Sequence, residues 1–122
     1  MTQIDKIYLR KDKKFAKKIM PWAEKKSEQL VFISEKSINI DHIDALLIFN
    51  ENQEHSKEIF DIKIAFDNKQ KSTLKLDING TLMATVSNLE LWFERVQCKT
   101  LLILGSDDLL KNKNLDRLLN SI

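Results

Sequence analysis

With 122 residues, 43% of them hydrophobic and 31% charged, and with 2 Gly and 1 Pro, the chain has the length of one domain and the composition of a folded globular protein. That composition excludes a disordered tail or a fibre, and the longest apolar runs, LLIL at 101–104 and ALLIF at 45–49, fall far short of the roughly 20 residues that span a bilayer. The net charge of +2 conceals polarity along the chain: residues 1–28 carry nine Lys/Arg and four Asp/Glu, whereas residues 35–67 carry three Lys/Arg and eight Asp/Glu.

In chain order, IDKIYL (4–9) is rich in strand formers and predicts a strand. A helix follows at about 12–28, with Asp12 as its N-cap. On a helical wheel Phe15, Ile19, Trp22 and Ala23 share an inner side, while Arg10, Lys14, Lys17, Lys18 and Lys25 share the outer one. Pro21 lies on that outer side, where it kinks the helix or starts a second one. LVFIS (30–34) then completes a strand-helix-strand unit. For residues 40–52 the pattern leaves two readings open, a helix capped by Asp41 or a buried strand over IDALLIF.

From Phe60 to Phe66, apolar residues alternate with others at period two, and Leu74, Leu76 and Ile78 repeat the pattern. Asn79-Gly80 is a strong hairpin signal, because a type I′ turn needs two residues that accept positive φ. Together these predict an antiparallel meander at about 58–86. Ser87 and Glu90 form the pattern of a capping box opening a helix at about 88–97. TLLIL (100–104) reads as a strand covered on both faces, ended by Gly105. A last helix at about 107–121, re-capped near Asn114, would bury Leu115, Leu118, Leu119 and Ile122. The expected fold is therefore a single α+β domain over 1–122: a mixed, partly antiparallel sheet covered by these helices.

Few residues advertise chemistry. His42, His55 and Cys98 are far apart in sequence and offer no short-spaced ligand pair, so no metal and no cofactor is expected. A single cysteine forms no internal disulfide, and MTQIDKIYLRKDKK lacks the apolar stretch of a secretory signal, which together suggest a cytoplasmic setting. With two glycines there is no phosphate-cradling loop. LILGSDD (102–108) places a glycine and a helix start after an apolar strand, where open parallel sheets bind ligands, but Ser106, Asp107 and Asp108 read better as acceptors that cap that helix. The basic face formed by Arg10, Lys14, Lys17, Lys18 and Lys25 is the candidate binding surface. It has no interleaved aromatic residue for base stacking, so a protein partner is favoured over nucleic acid.

Three segments, KIYL, IDALLIF and FDIKIAFDNKQK, taken in order, resemble the nucleoside 2-deoxyribosyltransferases over about residues 6–71. The resemblance implies a nucleoside-processing enzyme in which Asp61 stands at the family's nucleophile, carried on a helix, and Asp44 at the acid of the middle motif. Two glycine positions of the family pattern are Lys63 and Lys69 here. The meander and the resemblance make opposite demands on residues 60–67. The alternation at period two favours the meander, and with it a small non-enzymatic binding module that engages a protein partner through its charged surface.

Overall fold

The computed structural model describes residues 4–34, 36, 38–51 and 56–122. Its centre is one five-stranded sheet built from β1 (Ile4–Arg10), β2 (Ser27–Ile33), β3 (Ala45–Asn50), β4 (Ser72–Asp77) and β5 (Thr100–Gly105). The strand order is β2-β1-β5-β3-β4, and every neighbouring pair is parallel. The expected mixed α+β sheet is thus corrected to an all-parallel α/β sheet. Its helices are α1 (Lys14–Lys26), α2 (Lys57–Asn68), α3 (Leu82–Val96) and α4 (Lys113–Ser121). Parallel strands need crossovers, and helices provide them between β1 and β2, β3 and β4, and β4 and β5.

The meander at 58–86 does not exist. Residues 57–68 form α2, whose inner stripe is Ile59, Ile62 and Phe66 at i, i+3 and i+7. Phe60 and Ile64, which produced the apparent alternation, lie on the outer face, 46% and 42% exposed. Asn79-Gly80 is a turn between β4 and α3. The Asn79 N–H donates to Asp77 Oδ1 and the Gly80 N–H to the Asp77 carbonyl, with no positive φ at the glycine. The third helix begins at Leu82, so Ser87 and Glu90 lie inside it and cap nothing.

The open question at 40–52 resolves as a 3-10 turn at Ile40–His42 followed by β3, whose six residues are all buried. The last predicted helix divides into a 3-10 turn, Asp107–Lys111, and α4, capped by the Asn112 side chain rather than at Asn114. Helix α1 is shorter than the expected 12–28 and runs through Pro21; it begins after Lys13 without a side-chain cap from Asp12.

Two hydrophobic layers hold the sheet. On one face α1, α3 and α4 bury Phe15, Ile19, Trp22, Leu89, Trp92 and Leu118 against alternate strand residues such as Ile7, Leu47 and Ile103. On the other, α2 packs Ile59 and Phe66 over Leu46, Ile48, Leu102 and Leu104. β3 and β5, covered on both sides, are correspondingly continuous apolar runs. Among the described residues no helix is long and apolar enough to cross a membrane.

Candidate functional site: a crevice at the carboxyl edge of the sheet

The central strands β1, β5 and β3 end side by side at Arg10, Gly105 and Asn50. From β1 the chain turns to α1 on one face, and from β3 it passes to α2 on the other. Such a divergence opens a crevice outside the carboxyl ends of the strands, where open parallel sheets hold their ligands. Two adjoining cavities occupy it, of about 210 and 200 Å³. Ser56, Ile59 and Ser106 line both.

The first cavity is walled by Arg10, Phe15, Glu58, Gly105 and Asp107. Arg10 does not belong to the outer face of α1: it closes β1 with only 4% of its surface exposed. Its guanidinium donates to both oxygens of Asp12, at 3.1 and 2.9 Å, and also binds Glu58 in the first turn of α2. Burial alone would lower the pKa of Arg10, but these hydrogen bonds and charges outweigh it and hold the group above its ordinary value. The Arg10 hydrogen bond in turn holds Asp12 below the usual carboxylate range. That engagement explains why Asp12 caps no helix.

Capping falls to a distant residue instead. Asp107 Oδ1 accepts the Phe15 N–H at 2.9 Å, so the carboxylate expected to serve its own helix serves the first turn of α1. Ser106 accepts the Asp108 N–H at 3.2 Å, and Ser56 accepts the Ile59 N–H at 3.3 Å as N-cap of α2. Gly105 is required by contact rather than by backbone angle. A Cβ there would stand 2.6 Å from Phe15 Cζ.

The second cavity is walled by Phe49, Asn50, Glu51, Asp108 and Leu109. Asn50 is 2% exposed, and among the described residues neither its Nδ2 nor its Oδ1 has a hydrogen-bond partner. A buried amide left unpaired costs about 1–3 kcal/mol. Beside it, Asn112 Nδ2 donates to Glu51 Oε2 and to Asn79 Oδ1, both at 2.8 Å, fixing the rim. The walls carry Glu51, Glu58, Asp107 and Asp108 against Arg10 and Lys13. This acid excess opposes a phosphate.

The residues singled out by sequence are scattered. Asp61 lies exposed on α2 and does not line the crevice. The three resembling segments fall on β1, β3 and α2, and Asp61 does sit on a helix, as the resemblance requires. Asp44, however, lies at the opposite edge of the sheet, where its carboxylate accepts the Lys99 and Thr100 N–H groups at 2.8 and 3.2 Å. The length of β3 separates it from the crevice. Lys14, Lys17, Lys18 and Lys25 are exposed on α1 as expected, and Lys18 pairs with Asp116 at 2.5 Å. His42 is exposed on the 3-10 turn, and His55 lies outside the described residues.

Cys98 is buried, and its thiol is pushed up to about 11 by burial and by the charge of Asp44. Among the described residues no group of three or more His, Cys, Asp or Glu could hold a metal ion. Of the polar residues that line the crevice, Ser106, Asp107 and Asp108 were read from sequence as helix caps in preference to a ligand site, and Asn50, Glu51 and Glu58 were not marked. Asn50 left one trace, as the amide that closes an otherwise wholly apolar run. No family model, curated protein or solved structure matches the chain.

Proposed function

We propose that the chain is a non-enzymatic binding module whose ligand is a small, uncharged or cationic polar molecule held in the crevice between β1, β5, β3 and α2. The observation that carries this reading is Asn50. A carboxamide offers a donor and an acceptor side by side, and here both are buried beside a cavity without a partner among the described residues. A ligand presenting the complementary pair would satisfy both at once.

The other groups support binding over catalysis, because each is committed elsewhere. Glu58 and Asp12 hold Arg10, Asp107 caps α1, and Ser56 and Ser106 cap their own turns. This preorganised shell fixes the walls around the amide. The exposed lysines of α1 leave a protein partner as an additional proposal, with a role in electrostatic steering.

The test is a thermal-shift panel of nucleosides, amides, sugars and organic acids, run on the wild-type protein and on Asn50→Leu. Compounds that raise the wild-type melting temperature and leave the variant unmoved would support the crevice. Equal shifts in both proteins, or none in either, would refute it. Cleavage of a nucleoside, lost on Asp61→Asn, would instead move the deoxyribosyltransferase-like reading to first place.

A further inference from the structure

Away from the crevice, α1 and α4 diverge and leave a groove of about 450 Å³, walled by Lys18, Pro21, Trp22, Lys25, Lys26 and Leu119. A second lobe of about 250 Å³ continues it towards α3, where Leu89, Glu90 and Glu94 join Trp22, Lys26 and Ile122. Trp22 walls both lobes and is 6% exposed. Its indole N–H has no acceptor among the described residues, whereas Trp92, the other tryptophan, donates to Ser72 Oγ at 2.8 Å. Buried indole N–H groups usually find a partner. Asp116 is the one acidic side chain that lines the first lobe among the described residues and is occupied by Lys18, while Lys25 and Lys26 have no ion-pair partner among the described residues.

We infer that this groove is a binding site for an amphiphilic anion, a molecule with one negatively charged head and an aliphatic body. The head belongs in the first lobe, where Lys25 and Lys26 supply positive charge and the Trp22 N–H a hydrogen bond. Glu90 and Glu94 exclude it from the second lobe. The body runs from Pro21 and Leu119 along the Trp22 ring towards Leu89 and Ile122, and its contact with these surfaces supplies the hydrophobic part of binding. Since the indole N–H is itself covered, its edge turns towards the head on binding, which changes the environment of the ring. The inference does not depend on the crevice, because Asn50 and Trp22 line separate cavities.

Calorimetric titration of the full chain with decanoate, decanol and inorganic phosphate tests it, with tryptophan fluorescence followed in parallel. Decanoate below its micellar concentration should bind saturably, shift the emission and raise the melting temperature. Decanol and phosphate should each bind at least tenfold more weakly. Lys25→Glu combined with Lys26→Glu alters two side chains that hold no ion pair among the described residues, and should lose at least tenfold in decanoate affinity while keeping its circular dichroism spectrum. Asn50→Leu should bind decanoate as the wild type does. Equal affinity for decanol, tighter binding of phosphate alone, or an unchanged affinity in the lysine double variant would overturn the inference, as would a melting temperature lowered by decanoate.

Discussion

Replacing Gly105 by alanine inserts a single methyl group where the structure has no room for it. The added Cβ would lie 2.6–2.7 Å from three atoms of the Phe15 ring, against an ordinary carbon–carbon contact of about 3.5–4.0 Å. One of the two must therefore move by about 1 Å. The ring cannot retreat freely: Phe15 is 2% exposed, its centroid lies 5.6 Å from that of Phe49, and its backbone N–H is held by Asp107. Nor can the strand yield easily, because Gly105 pairs with Phe49 at the end of β5. Overpacking of this kind costs about 2–3 kcal/mol. At about 4 °C per kcal/mol for a chain of this length, Gly105→Ala should melt some 8–12 °C lower. Urea denaturation followed by circular dichroism measures the free energy directly. Phe15→Leu made in the same chain should recover at least about 1 kcal/mol of the loss, a coupling that only contact between the two residues produces. A Gly105→Ala protein within about 0.5 kcal/mol of wild type, or a strictly additive double variant, would refute the packing argument.

Other outcomes follow from the same contacts. Arg10→Met strands Glu58, whose side chain is 31% exposed, and should cost about 2–3 kcal/mol in urea denaturation, less than for a fully buried pair. Arg10 also holds the Asp12 pKa down, so that contribution is present above about pH 4 and fades as pH falls through the lowered folded value. The acid limb of the stability curve should accordingly flatten in Arg10→Met. Burial raises the Cys98 thiol to about 11, so the folded state keeps its proton above the unfolded pKa of about 8.5. Stability should thus fall as pH rises from about 8.5 towards 11, less so in Cys98→Ala, and a thiol reagent at pH 8 should modify the folded protein far more slowly than the unfolded one. Asp61→Asn, on an exposed helical face, should change stability by less than about 0.5 kcal/mol and leave ligand binding intact.

The sequence was most legible where burial left a strong signature. The unbroken apolar run of β5 announced a strand covered on both faces, and the spacing of Phe15, Ile19, Trp22 and Ala23 marked the buried stripe of α1. It misled where two periods coexist. In α2 the inner stripe of Ile59, Ile62 and Phe66 is overlaid by Phe60 and Ile64 on the solvent face, and Phe60, Ile62, Ile64 and Phe66 together imitate alternation. Once those residues were read as strand, Asn79-Gly80 became a hairpin and a sheet of parallel strands became a mixed one. Ser56, the N-cap of α2, is the local signal that would have marked the start of a helix there.

The crevice was harder to read. Arg10, Asn50, Glu58 and Asp107 come from separate elements and meet only because β1, β5 and β3 lie side by side. Arg10 was visible as a cation, but on a wheel it fell among the helix lysines because strand β1 was taken to end before it. The link from Asp107 to Phe15 spans 92 positions, and no local pattern records it.

The most direct test of the crevice is the unfolding free energy of ligand-free Asn50→Leu. If the amide is unpaired in the resting protein, an apolar side chain of similar shape removes a buried polar penalty, and the variant should be as stable as wild type or up to about 2 kcal/mol more stable. A loss of about 2 kcal/mol would mean that Asn50 is already satisfied in the free protein, and would contradict its assignment to a ligand.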